Sequence, residues 1–99
     1  MNSFKIKQLS RVIESISKAA SLTDIKKDRL LTKYIKYVSY EEAINELIYE
    51  VYKKFYNKNE DVCNYSMDMI KNISSKYYNS KDDMILYAKN RKKNSKKDR

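Results

Sequence analysis

Apolar residues recur every three or four positions through most of this chain, and short polar stretches mark where each run stops. Over residues 3–20, Ile6, Leu9, Ile13, Ile16 and Ala20 share one stripe while Lys7, Arg11, Glu14 and Lys18 occupy another. That spacing predicts an amphipathic helix, with Ser3 placed to cap it. Ser21-Leu22-Thr23-Asp24 breaks the pattern and offers new caps. A second helix is predicted over about 24–38, with Leu30, Leu31, Tyr34, Ile35 and Val38 on one arc. Lys26, Arg29, Lys33 and Lys36 fall nearly opposite, and Tyr37 lies at the edge of that basic face. Ser39 with Glu42 then forms a capping box for a third helix over about 40–57. Here Ala43-Ile44, Leu47-Ile48, Val51-Tyr52 and Phe55-Tyr56 repeat as pairs every four residues, a stripe wide enough for two neighbours. This is the expected spine of the fold.

Beyond the polar turn at residues 57–61 the pattern admits more than one reading. Val62-Cys63-Asn64-Tyr65 suits either a helix start or a short extended segment, and a helix resumes from Ser66 through Met69, Ile70 and Ile73. Residues 76–88 allow a last helix started by Ser80 and Asp83, or a hairpin of the β-prone runs Lys76-Tyr77-Tyr78 and Met84-Ile85-Leu86-Tyr87. With the hairpin, the order resembles the recognition helix and wing of winged-helix domains, a likeness of fold and not of motif. The usual glycine before a recognition helix is missing. The expectation is a mainly α, single compact domain of four to five helices over residues 1–88. A winged helix with a short C-terminal β-hairpin is one form of it. Residues 89–99 hold no apolar side chain and are expected to be a basic flexible tail or a frayed helix extension.

Composition sharpens the helical reading. The 99 residues include no Gly, Pro, His or Trp. Tight hairpin turns depend on glycine, whereas Asn can take the left-handed position at a helix end. Asn57, Asn59, Asn79 and Asn90 stand where helical patterns stop. The same absences remove glycine-rich phosphate loops, dinucleotide fingerprints, and His-dependent bases or zinc sites. Acidic pairs such as Glu41–Glu42, Glu60–Asp61 and Asp82–Asp83 read as helix-dipole partners and not as a catalytic dyad. No enzyme, cofactor, metal or small-molecule substrate is therefore expected. The single Cys63 reads as a small buried hydrophobe and suits a reducing compartment. No apolar run reaches the length of a membrane span and no secretory leader is evident, so a cytoplasmic location is expected.

Charge supplies the functional expectation. Lys, Asn, Ile and Tyr make up 47 of the 99 residues, and Lys outnumbers Arg by 18 to 4, which implies an AT-rich source genome. Such bias inflates lysine but would spread it evenly. Instead residues 1–38 carry +6, residues 39–70 carry −4, residues 71–88 carry +1, and residues 89–99 carry +6, for a net +9. A basic helix face alone is most often solvated surface. Combined with the sign separation, it points to nucleic acid, double-stranded DNA above all. The contact candidates are Lys26, Arg29, Lys33, Lys36 and Tyr37 on the second helix and Lys89, Arg91, Lys92 and Lys93 in the tail. In the winged form, Tyr65, Ser66, Lys71, Asn72 and Ser75 would face the duplex, with Lys76 and Lys81 in the wing. The expected function is an accessory or regulatory DNA-binding factor of a plasmid, phage or other mobile element in an AT-rich bacterium. A dimer would enlarge its thin core. The alternatives are a protein-binding module or inhibitor docking a host protein through the third-helix stripe, and, less favoured, a membrane-surface protein using Phe4 and Ile6.

Overall fold

Five helices follow one another with short connections: α1 (Ser3–Ala19), α2 (Asp24–Ile35), α3 (Tyr40–Phe55), α4 (Glu60–Ile73) and α5 (Lys81–Lys97). The computed structural model describes residues 1–97. Among them there is no strand, and no helix is long and apolar enough to cross a membrane.

The helix ends are set by polar side chains. Asn2 accepts the Lys5 N–H to cap α1, one residue before the expected Ser3. Thr23, Ser39 and Asn59 accept the Lys26, Glu42 and Val62 N–H groups to cap α2, α3 and α4, and Ser80 accepts the Asp83 N–H at the start of α5. Each cap satisfies a backbone donor that the helix cannot, worth about 1 kcal/mol. Without glycine the chain still needs left-handed residues, and Asn57 (φ 64°) after α3 and Ser21 (φ 55°) after α1 supply them.

The core joins Leu9, Ile13 and Ile16 of α1, Ile44, Leu47, Ile48 and Val51 of α3, Met67 and Ile70 of α4, and Met84 and Ala88 of α5. α4 packs on α1, α3 and α5, and α3 also receives α2 and α5. The paired repeat of α3 explains this: its apolar arc is wide enough to face α4 while its flanks meet other helices. The result measures 35 × 28 × 27 Å.

The winged form does not hold. Residues 76–88 make a turn and then helix. The Ser74 carbonyl accepts the N–H groups of Tyr77 and Tyr78, and Tyr78 donates its hydroxyl to Asn45 on α3. Met84 and Ala88 are both fully buried while Leu86 between them is 55% exposed. A strand would put all three on one face, so the burial follows the helical period and not the period of two. Val62 and Cys63 likewise lie within α4, both buried.

One further expectation shifts. α2 ends at Ile35, leaving Ile35 exposed and Val38 89% exposed, so its apolar arc narrows to buried Tyr34 and half-buried Leu30 and Leu31. Residues 89–97, expected as a basic flexible tail or a frayed helix extension, continue α5 as helix, with Asn90 inside it. Asp98 and Arg99 lie outside the described residues.

Candidate nucleic-acid interface

α2 lies at the edge of the bundle because only its Tyr34 is deeply buried. The opposite face is left to solvent. Lys26, Arg29, Lys33 and Lys36 are all exposed and rise along about 15 Å of helix axis. Among the described residues, no carboxylate comes within ion-pair distance of Lys26, Arg29 or Lys36. Tyr37 is half-buried and stacks on Tyr34, with ring centroids 6.0 Å apart.

Lys33 behaves differently. Its ammonium donates to Glu50 Oε1 at 3.0 Å, across from α2 to α3, and lies 5.2 Å from the Tyr34 ring centroid. The Tyr34 hydroxyl donates to the same carboxylate oxygen and also approaches the Glu46 carbonyl oxygen. Lys54 holds the other oxygen, Oε2, at 3.0 Å. Burial pushes the Glu50 carboxyl up, but the bonds from Tyr34, Lys54 and Lys33 overcome that and hold it below its ordinary range. Tyr34 moves the opposite way, since burial and the neighbouring Glu50 charge both disfavour its phenolate. The cluster ties α2 to the spine. Lys26, Arg29, Lys33 and Lys54 thereby line a single groove between the two helices, with Leu30 and Phe55 in its walls.

On the other flank of α3, α5 brings a second set of cations. Arg91 pairs with Glu46 at 2.6 Å, sits 4.3 Å from the Tyr49 ring centroid, and donates to the Tyr87 hydroxyl. Lys53 lies 4.5 Å from the centroid of the same Tyr49 ring. Lys89 lies over Tyr56, whose hydroxyl raises its pKa through a hydrogen bond. Arg91 is thus a packed residue that orients the end of α5, whereas Lys92 and Lys93 are exposed beyond it.

The candidates of the former recognition helix and wing fall elsewhere. Lys71 bonds to the Ser75 hydroxyl at 3.3 Å and Lys81 pairs with Asp68 at 2.8 Å. Asn72 and Lys76 are exposed, and none of these four lines the α2–α3 groove. Ser66, grouped with them on the expected DNA face, is completely buried, its hydroxyl without a partner among the described residues. Cys63 is buried, and burial raises its thiol, with Lys81 opposing weakly.

Sequence patterning alone does not find Glu50, Lys54 or Glu46. Lys33 and Glu50 are 17 positions apart on different helices, so no single-helix periodicity links them. The one available signal was the Glu50–Lys54 spacing of four, which generally favours a pair on a helix. No protein-family model matches the chain, and no curated protein or solved structure resembles it at a significant level.

Proposed function

We propose that this protein binds double-stranded DNA as a small accessory or regulatory factor, laying the exposed face of α2 along the phosphate backbone. The observation behind this reading is the row of Lys26, Arg29 and Lys36: solvent-facing and in no ion pair among the described residues, with the acid Asp28 beside them. Each phosphate that such a cation neutralises releases condensed counterions, which favours binding at low salt. The exposed Lys92 and Lys93 on the projecting part of α5 add attraction that does not depend on base sequence. A cytoplasmic setting in an AT-rich bacterium, its plasmids or its phages, rests on composition. Self-association remains part of the proposal, since Ile25, Ile35 and Val38 leave apolar surface on and after α2.

The test is a fluorescence-anisotropy titration of a labelled AT-rich duplex at several salt concentrations, for the native chain and for K26Q/R29Q/K33Q/K36Q. The native chain should bind saturably with a steep salt slope. The variant should lose most of its affinity, with the slope flatter by about three to four. A folded variant that binds as well as the native chain overturns the role of α2.

A second reading, a module that docks a partner protein, is favoured by those same exposed apolar residues. It no longer uses the α3 stripe, because Ala43, Ile44, Leu47, Ile48, Val51 and Tyr52 are all buried in the core. No DNA binding even at low salt would bring it forward.

A further inference from the structure

We infer that the groove between α2 and the C-terminal half of α3 receives one backbone phosphodiester of the bound nucleic acid, and that Glu50 is a built-in competitor for that phosphate. This deepens the DNA-binding reading and rests on it.

Two helices bring four cations to one concave strip: Lys26, Arg29 and Lys33 from α2, and Lys54 from α3. Glu50 is the only carboxylate among its lining residues. At neutral pH the strip therefore holds four positive charges against one negative. The two oxygens of Glu50 are used separately, Oε1 by Lys33 and Tyr34 and Oε2 by Lys54. Lys33 and Lys54 are thus held at the groove already oriented toward an anion, while Lys26 and Arg29 are unpaired among the described residues.

A phosphodiester matches that arrangement. Its two non-bridging oxygens can take the guanidinium fork of Arg29 together with an ammonium, a geometry that a single lysine does not offer. Leu30 and Phe55 exclude part of the water beside the site and so strengthen the attraction. The same carboxylate that positions Lys33 and Lys54 also repels the incoming phosphate and retains part of their charge. Glu50 trades affinity for the attachment of α2 to α3. A neutral side chain of the same shape there should bind DNA more tightly than the native chain does, with a steeper salt slope because Lys33 and Lys54 reach the phosphate.

The experiment is the same duplex titration with Glu50→Gln and Lys54→Gln, each checked for helical content by circular dichroism. Glu50→Gln should bind about fivefold tighter, with the salt slope steeper by about one, because Lys33 and Lys54 are released to the phosphate. Lys54→Gln should bind about fivefold more weakly, with a slope shallower by up to about one. A folded Glu50→Gln variant with native affinity and slope overturns the competitor role. Should Glu50→Gln fail to fold, Lys54→Gln decides alone, since its side chain is half-exposed: native affinity there overturns the groove. If the native chain binds no duplex at any salt, the broader reading fails. If it binds and both variants match it, only this groove is wrong.

Discussion

Helices α2 and α3 are adjacent in sequence and packed against each other, yet the bundle uses them in opposite ways. α3 buries seven of its sixteen residues, among them Ile44, Leu47, Ile48 and Val51, and it is reached by three other helices. α2 buries one residue of twelve, Tyr34, and keeps a basic face in water. α3 holds the molecule together, and its stripe from Ala43 to Tyr52 is buried in the core. α2 contributes little to the core and retains its charge. What joins them is polar: Tyr34 and Lys33 reach from the exposed helix to Glu50 on the buried one. The rest of α2's attachment is apolar, through Tyr34 in the core, Leu30 and Leu31 packed against it, and packing on α1.

That contrast can be broken most severely on the α3 side. Ile48→Ala, at a fully buried position, should cost about 2–5 kcal/mol of stability in urea or thermal unfolding. A loss under 1 kcal/mol would mean that α3 is not the spine. Tyr34→Phe comes next. It removes a hydroxyl donated to an ionised carboxylate and should cost about 1.5–3 kcal/mol, with Glu50 left to its two lysines.

The acid limb of the stability profile sharpens the same joint. The Glu50 carboxyl is held below its ordinary value of 4.5 in the folded chain, so its contribution is present above that value and is lost as pH falls through the lower folded one. Glu50→Gln should therefore unfold less steeply with falling pH below about 4.5 than the native chain. A profile parallel to native would show that the pair adds nothing to stability. The smallest effect is expected at the outer edge. Val38→Ala, at an exposed position beyond α2, should change stability by under about 0.5 kcal/mol. A larger loss would show that apolar surface here is covered, as in a dimer.

Legibility followed the range of the interactions. The paired repeat from Ala43 to Tyr56, the Ser39–Glu42 cap and the left-handed Asn57 are governed by residues within a turn of one another, and α3 runs close to where the pattern places it. Residues 76–88 were ambiguous because Tyr77, Tyr78, Ile85 and Tyr87 favour extended backbone locally. Burial of Met84 and Ala88 against the other helices outweighs that preference. The reach of α2's apolar arc was overestimated for the converse reason. Periodicity can mark Ile35 and Val38 as one-sided, but it does not supply a neighbour to cover them.

The candidate interface divides in the same way. The row of Lys26, Arg29, Lys33 and Lys36 is a property of one helix and its pitch, so the sequence by itself determined it, along with the helical class and the separation of charge along the chain. Only the tertiary structure decided which of those cations are neutralised. It set Glu50 against Lys33, brought Lys54 and Arg29 to one groove, and docked Arg91 on Glu46 while leaving Lys92 and Lys93 exposed. Local order is encoded within a few residues, where spacing along one helix is enough. Ion pairing between helices depends on how whole elements pack, and that is fixed by the burial of Ile44, Ile48, Met84 and Ala88 in the shared core.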